Sequence, residues 1–334
     1  MLASGRGGDS TFELVPRRAA DGPRFWAELP VRIARELRRF RPDAVLAQSA
    51  YEAAAALAAR RLVGRRTPVL VDVHGDWRTS TRLYGSPLRG MLSPLADRVS
   101  LAALHRADAV RTVSDYTTDL VRDEGIEPAD VFPAFMDLDP FLDETRPLPA
   151  RPNGLFVGVL ELYKNVDGLA DSWRLAAPQV PAATLRIVGR GSRADVVERL
   201  VAELPEQTTW TPRLATTEVA GAMDESTVLV LPSRSEGMGR VVVEALLRGR
   251  PVVGTRVGGI RDLVRDGENG LLVDPGDAAA LADALVRVLS DRELAERLAS
   301  GARTSAEPWL ATPEEYASRL HALVVRFAPR LDES

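Results

Sequence analysis

Cysteine is absent from this sequence of 334 residues. Its absence excludes a disulfide framework, a thiolate metal site and a cysteine nucleophile, and it is compatible with a reducing compartment. Lysine is almost absent as well, because Lys164 is the single lysine among 43 basic residues and all the others are arginines. An ammonium group differs from a guanidinium in size and hydration. The one lysine therefore indicates a position that an arginine would not serve.

Long apolar runs are also missing. No window approaches 18 consecutive apolar residues, and the N-terminus lacks the apolar core of a signal peptide. We therefore expect no transmembrane segment and a cytoplasmic protein, with peripheral contact at the inner face of a membrane left open. The formal charge of -4 is nearly balanced, so nucleic acid is not an expected partner.

The length and composition fit a globular protein of about two domains. Short β-branched runs alternate with amphipathic stretches, which predicts an α/β fold with parallel sheets and crossover helices. The predicted strands are Val45–Gln48, Val69–Val73, Ala109–Val113, Gly154–Val157, Thr184–Val188, Thr227–Leu231, Pro251–Thr255 and Gly270–Val273. Helices are predicted over Pro23–Arg41 and Ala278–Leu289, and the proline-rich stretch Asp143–Asn153 is predicted to be a linker.

The segment Leu229–Gly249 combines a strand, a glycine-containing loop and a helix that begins near Gly239 and ends at a glycine. The free amides of residues 237–241 at such a helix start form an anion site. Glu244 lies within VVVEALL, where a carboxylate is costly to bury without donors. Helical geometry places Glu236 about 12 Å from Glu244, which exceeds the carboxylate spacing of a glycosidase.

These residues resemble a known family. Glu236 and Glu244, with seven residues between them, stand in SEGMGRVVVEALLRGRPVVGTRVGGIRDLVRDGENGLLVDPGD. This stretch is similar to the donor-binding signature of retaining glycosyltransferase family 4, which has the GT-B fold. The resemblance runs from about Gly154 to Asp277, with weaker support from VDVHGDW, HRADAVRTVSDYTTDLV and VFPAFMDLDPF in the first half.

The resemblance implies two Rossmann-like domains that face a cleft. We expect an N-terminal acceptor-side domain over residues 1–147, a donor-binding domain over 148–307, and a C-terminal helix over 308–334 that packs back on the first domain. The implied activity is transfer of a sugar, with retention, from a nucleotide-diphosphate sugar to a hydroxyl of a glycan, a glycolipid, another lipid-linked acceptor or a small molecule. Neither a cofactor nor a metal is expected.

The resemblance also implies roles for individual residues. Glu244 accepts hydrogen bonds from the ribose, Glu236 contacts the donor sugar, and Lys164 binds the phosphate that leaves. The donor diphosphate lies on the backbone of the loop between the two glutamates, with Gly237, Met238, Gly239, Arg240 and Val241 as its binding residues. Where the family usually has an arginine, this sequence has Val159. Either Arg240, Arg190 or another arginine replaces it, or the activity is weakened.

The family resemblance also assigns expected roles to three further stretches of the second half. Gly189 and Arg190, in IVGRGS, resemble a nucleotide-contacting loop. The stretch Thr209–Leu214 is expected to be a loop that contacts the base. Gly258 and Gly259 are expected to shape a turn that opens a helix.

In the first half, His74 ends the predicted strand VLVDVH, and the carboxyl end of a strand faces the cleft of an α/β protein. The resemblance places it against the donor sugar or its phosphate, which makes it the third expected catalytic residue beside Lys164 and Glu236. Asp76 and Trp77 are expected to orient His74 or to shape the acceptor side. His105 and His321 lie in helical contexts that favour surface or packing roles.

Asp137 and Asp139, in FMDLDPF, imitate a metal-binding D-x-D motif. Their place just before the linker favours a hinge or turn instead, and no metal site is expected. At the start of the chain, MLAS resembles the second strand of the family. Either the first βα unit is missing, as we expect, or Gly5, Gly7 and Gly8 stand in for its loop.

Two alternatives of other classes stay open. One is a two-domain protein that binds a sugar or a nucleotide sugar without catalysis, which Val159 and the short N-terminus keep open. The other is a sugar-nucleotide epimerase or a phosphorylase of the same architecture. An epimerase would release nucleotide without an acceptor, and a phosphorylase would depend on inorganic phosphate.

Overall fold

The computed structural model of the chain describes residues 23–78 and 87–328, together with two short strands near the N-terminus. These two strands pair in parallel, with Leu2 opposite Val15, and form a sheet of their own. Gly5, Gly7 and Gly8, and with them the question of a missing βα unit, lie outside the described residues.

The described strands form sheets of two, four and six strands, and every pair in them is parallel. The strands are β1 (Leu2–Ala3), β2 (Val15–Pro16), β3 (Val45–Ala47), β4 (Val69–Val73), β5 (Ala109–Thr112), β6 (Asp130–Val131), β7 (Asn153–Val157), β8 (Thr184–Val188), β9 (Thr208–Thr211), β10 (Val228–Leu231), β11 (Val252–Thr255) and β12 (Gly270–Val273). All eight predicted strands are confirmed to within one residue at each end.

Nine of the described α-helices lie between these strands, as crossover connections require, and the last three follow the final strand. The helices are α1 (Pro23–Phe40), α2 (Ala50–Val63), α3 (Pro87–Arg106), α4 (Asp115–Arg122), α5 (Val166–Ala176), α6 (Ala194–Glu203), α7 (Thr216–Asp224), α8 (Arg240–Leu247), α9 (Ile260–Leu263), α10 (Ala278–Ser290), α11 (Arg292–Ala306) and α12 (Pro313–Phe327). None of the described helices has the length and apolarity to cross a membrane.

The four-stranded sheet has the order β3-β4-β5-β6, and α1 and α2 pack against it to form the first core. The six-stranded sheet has the order β12-β11-β10-β7-β8-β9 and carries the second, larger core. Two of its inner strands, β10 and β11, are buried along their whole length, as expected when helices cover both faces of a parallel sheet. This arrangement confirms the expected pair of Rossmann-like halves.

The strand order of the larger sheet reverses between β7 and β10, which lie side by side although two strands separate them in sequence. The chain builds the sheet outward from β7 in one direction and outward from β10 in the other. Such a reversal leaves a crevice at the carboxyl ends of the two strands, where α/β proteins bind their ligands. The loops that follow β7 and β10 therefore define the place to search for a site.

The last helix, α12, crosses back to the four-stranded sheet. Leu323 packs on Leu70 and Ala109, and the Tyr316 ring lies 5.8 Å from that of Phe132. This contact confirms the expected return of the C-terminal helix. The domain limits at residues 147 and 307 stay predictions.

The predicted linker contains no helix or strand between residues 143 and 152, as its prolines indicate. It is nevertheless held by side chains, because arginines of the second half donate hydrogen bonds to its carbonyl oxygens. Arg250 donates to Arg146 at 2.6 Å, and Arg303 donates to Asp143 at 2.7 Å. The linker is therefore bound by hydrogen bonds to the surface of the larger domain.

Candidate active site

Two loops meet at the point where the strand order reverses. The first runs from the end of β7 to α5 and carries Lys164, which is 8% exposed. The second runs from the end of β10 to α8 and carries Glu236. The lysine ammonium and the Glu236 carboxylate form a mostly buried ion pair across the two loops. The structure thus brings together two of the three expected catalytic residues.

Two further hydrogen bonds join the same loops, and both involve Arg234. Its backbone amide donates to the Tyr163 carbonyl oxygen at 2.7 Å, and its guanidinium Nε donates to Asn165 Oδ1 at 3.0 Å. Asn165 has a positive φ of 54° and is 4% exposed. Arg234 was not among the residues predicted from the sequence, although a basic residue two positions before Glu236 is a visible signal.

The N-terminus of α8 opens into this crevice. Gly239 caps the helix in a left-handed conformation (φ 77°), which a residue with a Cβ rarely adopts. Within residues 23–78 and 87–328, the backbone amides of Met238, Arg240 and Val241 donate no hydrogen bond to the protein. These amides lie at the positive end of the helix dipole, where an anion site is predicted, and that site stays a prediction.

Gly258 and Gly259 contact the backbone of this loop at Glu236. Gly259 donates its amide to the Glu236 carbonyl oxygen at 2.9 Å, and Gly258 adopts a positive φ of 52°. A Cβ on Gly258 would overlap the Glu236 backbone, so only glycine allows this approach. The prediction that these glycines shape a turn before a helix is confirmed, since α9 begins at Ile260.

Glu244 lies one turn into α8 and is 7% exposed. Burial raises the pKa of its carboxyl group, while the hydrogen bond and charge of Arg240 oppose the rise. Arg240 Nε donates to Glu244 Oε1 at 2.6 Å, and Arg240 Nη2 donates to the Asp137 carbonyl oxygen at 3.0 Å. One carboxylate oxygen of Glu244 is therefore engaged, and Arg240 is shared with the segment that leads to the linker.

The loop after β8 adjoins the same crevice. Gly189 packs so closely on Gly158 that a Cβ would overlap the Gly158 carbonyl oxygen. The Trp210 indole donates to the Gly189 carbonyl oxygen at 2.8 Å, and Arg190 next to it is exposed. The expectation of a loop over Thr209–Leu214 is wrong for its first three residues, which belong to β9. They extend the sheet because Thr208–Thr211 pairs along its whole length with β8.

The two halves touch at the mouth of the crevice. Gly237 packs against His74, and a Cβ added to Gly237 would overlap the His74 carbonyl oxygen. Ser114, which caps α4, donates its hydroxyl to the Gly237 carbonyl oxygen at 3.3 Å. His74 is thereby placed beside the loop that carries Glu236, as predicted from its position at the end of a strand.

A second contact between the halves lies next to this one. The Tyr116 amide donates to Asp262 Oδ2 at 2.9 Å, and Arg261 Nη2 lies 3.0 Å from Asp119 Oδ2. Burial raises the pKa of Asp262, and the hydrogen bond from Tyr116 opposes the rise. The start of α4 is thus bound to the short helix α9 of the other half.

The carboxylate beside His74 is Asp72, which the sequence analysis missed. His74 Nε2 lies 3.7 Å from Asp72 Oδ2, and Arg111 Nη1 lies 2.8 Å from the same oxygen. Asp72 and Arg111 are opposite each other in the register of β4 and β5, and each is 1% exposed. One charged residue in each of two neighbouring apolar strands was the signal that could have revealed them.

Asp76 and Trp77 have other partners in this structure. Asp76 Oδ1 accepts hydrogen bonds from the backbone amide and Nε of Arg78, both at 2.9 Å. Trp77 is 6% exposed and belongs to the first core, and its carbonyl oxygen accepts from the Tyr51 hydroxyl at 3.1 Å. Asp72, and not Asp76, is therefore the carboxylate that lies next to His74.

The two aspartates that resemble a D-x-D motif lie in a turn, as expected. Asp139 begins a short 3-10 helix that ends at Phe141, and Asp137 precedes it. In the part of the chain that the structure describes, no group of three or more His, Asp or Glu side chains could hold a metal ion. His105 and His321 are both exposed.

Comparison with known proteins agrees with this geometry. A family model described as "Glycosyltransferase Family 4" matches residues 2–139, and one described as "Glycosyl transferases group 1" matches residues 151–291. The match therefore extends over both halves of the chain.

Two curated relatives illustrate the similarity. The chain is 27% identical over 299 residues to the sulfoquinovosyl transferase SQD2 of Arabidopsis thaliana, which covers 84% of this chain and 56% of the relative. It is 27% identical over 257 residues to the alpha-D-kanosaminyltransferase of Streptomyces kanamyceticus, which covers 72% of this chain and 66% of that protein. The chain thus spans somewhat more than half the length of these relatives.

Solved structures share the fold. The sucrose-phosphate synthase of Thermosynechococcus elongatus superposes with a TM-score of 0.75 at 22% identity, covering 96% of this chain and 82% of that one. The Anabaena protein Alr3699/HepE, solved in complex with UDP, gives a TM-score of 0.71 at 20% identity. The superposition covers 93% of this chain and 85% of the Anabaena chain. At such identity the likeness shows the fold alone.

Proposed function

Because this chain belongs to the glycosyltransferases of group 1 and family 4, we propose that it transfers a sugar from a nucleotide-diphosphate sugar to a hydroxyl acceptor with retention at the anomeric carbon. One observation carries the proposal. The Lys164–Glu236 ion pair lies at the strand-order reversal, beside the free amides that open α8. A cation and a helix N-terminus at one crevice suit a ligand with several negative charges.

The donor would lie along the loop between the two glutamates. Its diphosphate would accept hydrogen bonds from the amides of Met238, Arg240 and Val241, and its ribose hydroxyls would donate to Glu244. The ionised form of Glu244 is the acceptor, and Arg240 favours that form although burial opposes it. The HepE structure with UDP supports a nucleoside diphosphate as the ligand class.

The chemical step needs stabilisation of the leaving group more than a protein base. The bond between the anomeric carbon and the diphosphate oxygen breaks, and a bond to the acceptor oxygen forms on the same face. The acceptor proton passes to an oxygen of the departing diphosphate. The Lys164 ammonium and the free amides would stabilise the charge that develops on that oxygen, which is the electrostatic contribution expected of a preorganised site.

The first half would supply the acceptor side. His74, placed against Gly237, would face the donor sugar, while Asp72 lies beside its ring. Asp76 and Trp77 keep the proposed role of shaping the acceptor side, through Arg78 and the first core. We propose that the reaction needs neither a cofactor nor a metal, and that the acceptor is a carbohydrate or a lipid-linked hydroxyl.

The test is an assay of nucleoside diphosphate release from a panel of nucleotide sugars, with and without acceptor mixtures, followed by NMR of the product. The proposal predicts release that depends on an acceptor and a product with the anomeric configuration of the donor. Release that needs no acceptor would indicate an epimerase, and a requirement for inorganic phosphate would indicate a phosphorylase. Binding of a nucleotide sugar without any turnover would contradict the proposed enzymatic activity and indicate a binding protein.

A further inference from the structure

We infer that Arg234 is a phosphate-binding residue of the donor site, whose guanidinium contacts the diphosphate together with Lys164; this inference rests on the proposed function. Arg234 lies on the loop of Glu236, directly after the strand β10 at the reversal of the strand order. Its Nε donates to Asn165, the residue that follows Lys164. The guanidinium is thus held by a buried partner that directly follows Lys164 in the chain.

The charge of the crevice makes a second cation necessary. Lys164, the only lysine of the chain, is already paired with Glu236, so the two side chains together carry no net charge. A nucleoside diphosphate carries more than one negative charge, and the helix dipole supplies only about half a positive charge. A site with Lys164 as its sole cation would leave most of the charge of the diphosphate uncompensated.

Two neighbouring arginines, Arg240 and Arg193, are engaged with carboxylates. Arg240 bonds to Glu244, and Arg193 forms an ion pair with Asp167. Arg234 differs from both, because its one side-chain hydrogen bond among the described residues is to a neutral amide and uses only Nε. The two terminal nitrogens stay available, and such a planar fork matches the geometry of a phosphate.

The loop geometry holds Arg234 in this position independently of a ligand. Its backbone amide is bonded to Tyr163, and Asn165 keeps its Oδ1 towards Nε because Gly168 leaves room for the amide side chain. A Cβ on Gly168 would collide with the side chain of Asn165. The guanidinium is therefore preorganised, which reduces the ordering cost of ligand binding.

The experiment compares Arg234→Gln and Arg234→Lys with the wild type by titration calorimetry. The probes are UDP, GDP and ADP with the matching monophosphates UMP, GMP and AMP. Glutamine keeps a donor for Asn165 but removes the charge, and lysine keeps the charge without the fork. The control Arg199→Gln removes one charge from an exposed pair on α6. Because Arg234 is exposed, all variants should melt within about 2 °C of the wild type.

We expect Arg234→Gln to weaken binding of the preferred diphosphate about tenfold to a hundredfold, the range of a lost charged hydrogen bond. Binding of the monophosphate should weaken less, and Arg234→Lys should recover part of the loss. Unchanged diphosphate affinity, or equal losses for both nucleotide classes, would overturn the inference. A wild type that binds none of the diphosphates would instead contradict the proposed function itself.

Discussion

The contact between Gly237 and His74 offers a direct test of the cleft. A Cβ on Gly237 would overlap the His74 carbonyl oxygen, and it would lie 2.8 Å from the carbonyl carbon and 3.2 Å from Gly75 Cα. Carbon atoms in ordinary contact are about 3.5–4.0 Å apart. The variant Gly237→Ala must therefore separate the two loops by at least roughly 1 Å, because the overlap with the His74 carbonyl oxygen is larger than the overlap with its carbon.

This displacement should affect turnover far more than folding. A misplacement of about 1 Å at reacting groups costs on the order of a hundredfold in rate, and we expect that loss in kcat for Gly237→Ala. The collision lies between the two halves and in neither core, so the melting temperature should fall little. Affinity for the nucleoside diphosphate, which the second half binds, should also fall less than kcat.

Gly75→Ala is the matched control, because it adds the same methyl group to the other side of the contact. Its Cβ would lie 3.4 Å from Gly237 Cα and 3.8 Å from Gly237 N, which are ordinary contacts. Steady-state kinetics of both variants decide the matter. Wild-type kcat in Gly237→Ala, or an equal loss in Gly75→Ala, would refute the reasoning that the spacing of these loops sets the reacting geometry.

Three further predictions concern buried charges. Burial raises the pKa of Glu244 in the folded protein above its usual value of 4.5. The ionised carboxylate therefore lowers the stability of the fold at a pH above the raised pKa, and this loss disappears as the pH falls to the usual value. The ligand-free Glu244→Gln variant should therefore melt higher than the wild type at neutral pH, and the difference should vanish below roughly pH 4; a difference independent of pH would contradict this. Lys164→Ala should lower kcat more than diphosphate affinity, because its charge matters most as the phosphate leaves, and equal losses would make it a binding residue only. Asp224→Ala should lower the free energy of unfolding in urea by about 3–5 kcal/mol, because Arg248, 3% exposed and 2.6 Å away, would lose its buried carboxylate partner. The control Glu225→Gln, at an exposed ion pair, should lower it by less than about 1 kcal/mol. Similar losses in the two variants would contradict this prediction.

The strands and the loop of the donor site follow from local sequence. Val69–Val73 and Gly270–Val273 are apolar runs between glycine or polar boundaries, and their positions were predicted without error. The helix start predicted near Gly239 is confirmed, and glycine suits the left-handed cap found at that residue. Such features depend on neighbours in the chain, which a single sequence displays.

Features that depend on distant partners were not predicted. The edge strand Thr208–Thr211 alternates only weakly and is fixed by its pairing with β8. The ion pair of Asp72 with Arg111 depends on the register of two strands, 39 residues apart in sequence. The role of Arg234 depends on Asn165, which another loop carries. In each case the partner comes from a different part of the chain.

In the proposed function, the second half binds a nucleoside diphosphate through the loop between Glu236 and Glu244. Calorimetric titration of UDP, GDP, ADP and dTDP into the wild type and Glu244→Ala tests it most directly. We expect one bound diphosphate per chain for at least one base, with affinity at least tenfold weaker in the variant, since a charged acceptor of the ribose is lost. No binding of any diphosphate, or equal affinity in the two proteins, would contradict it.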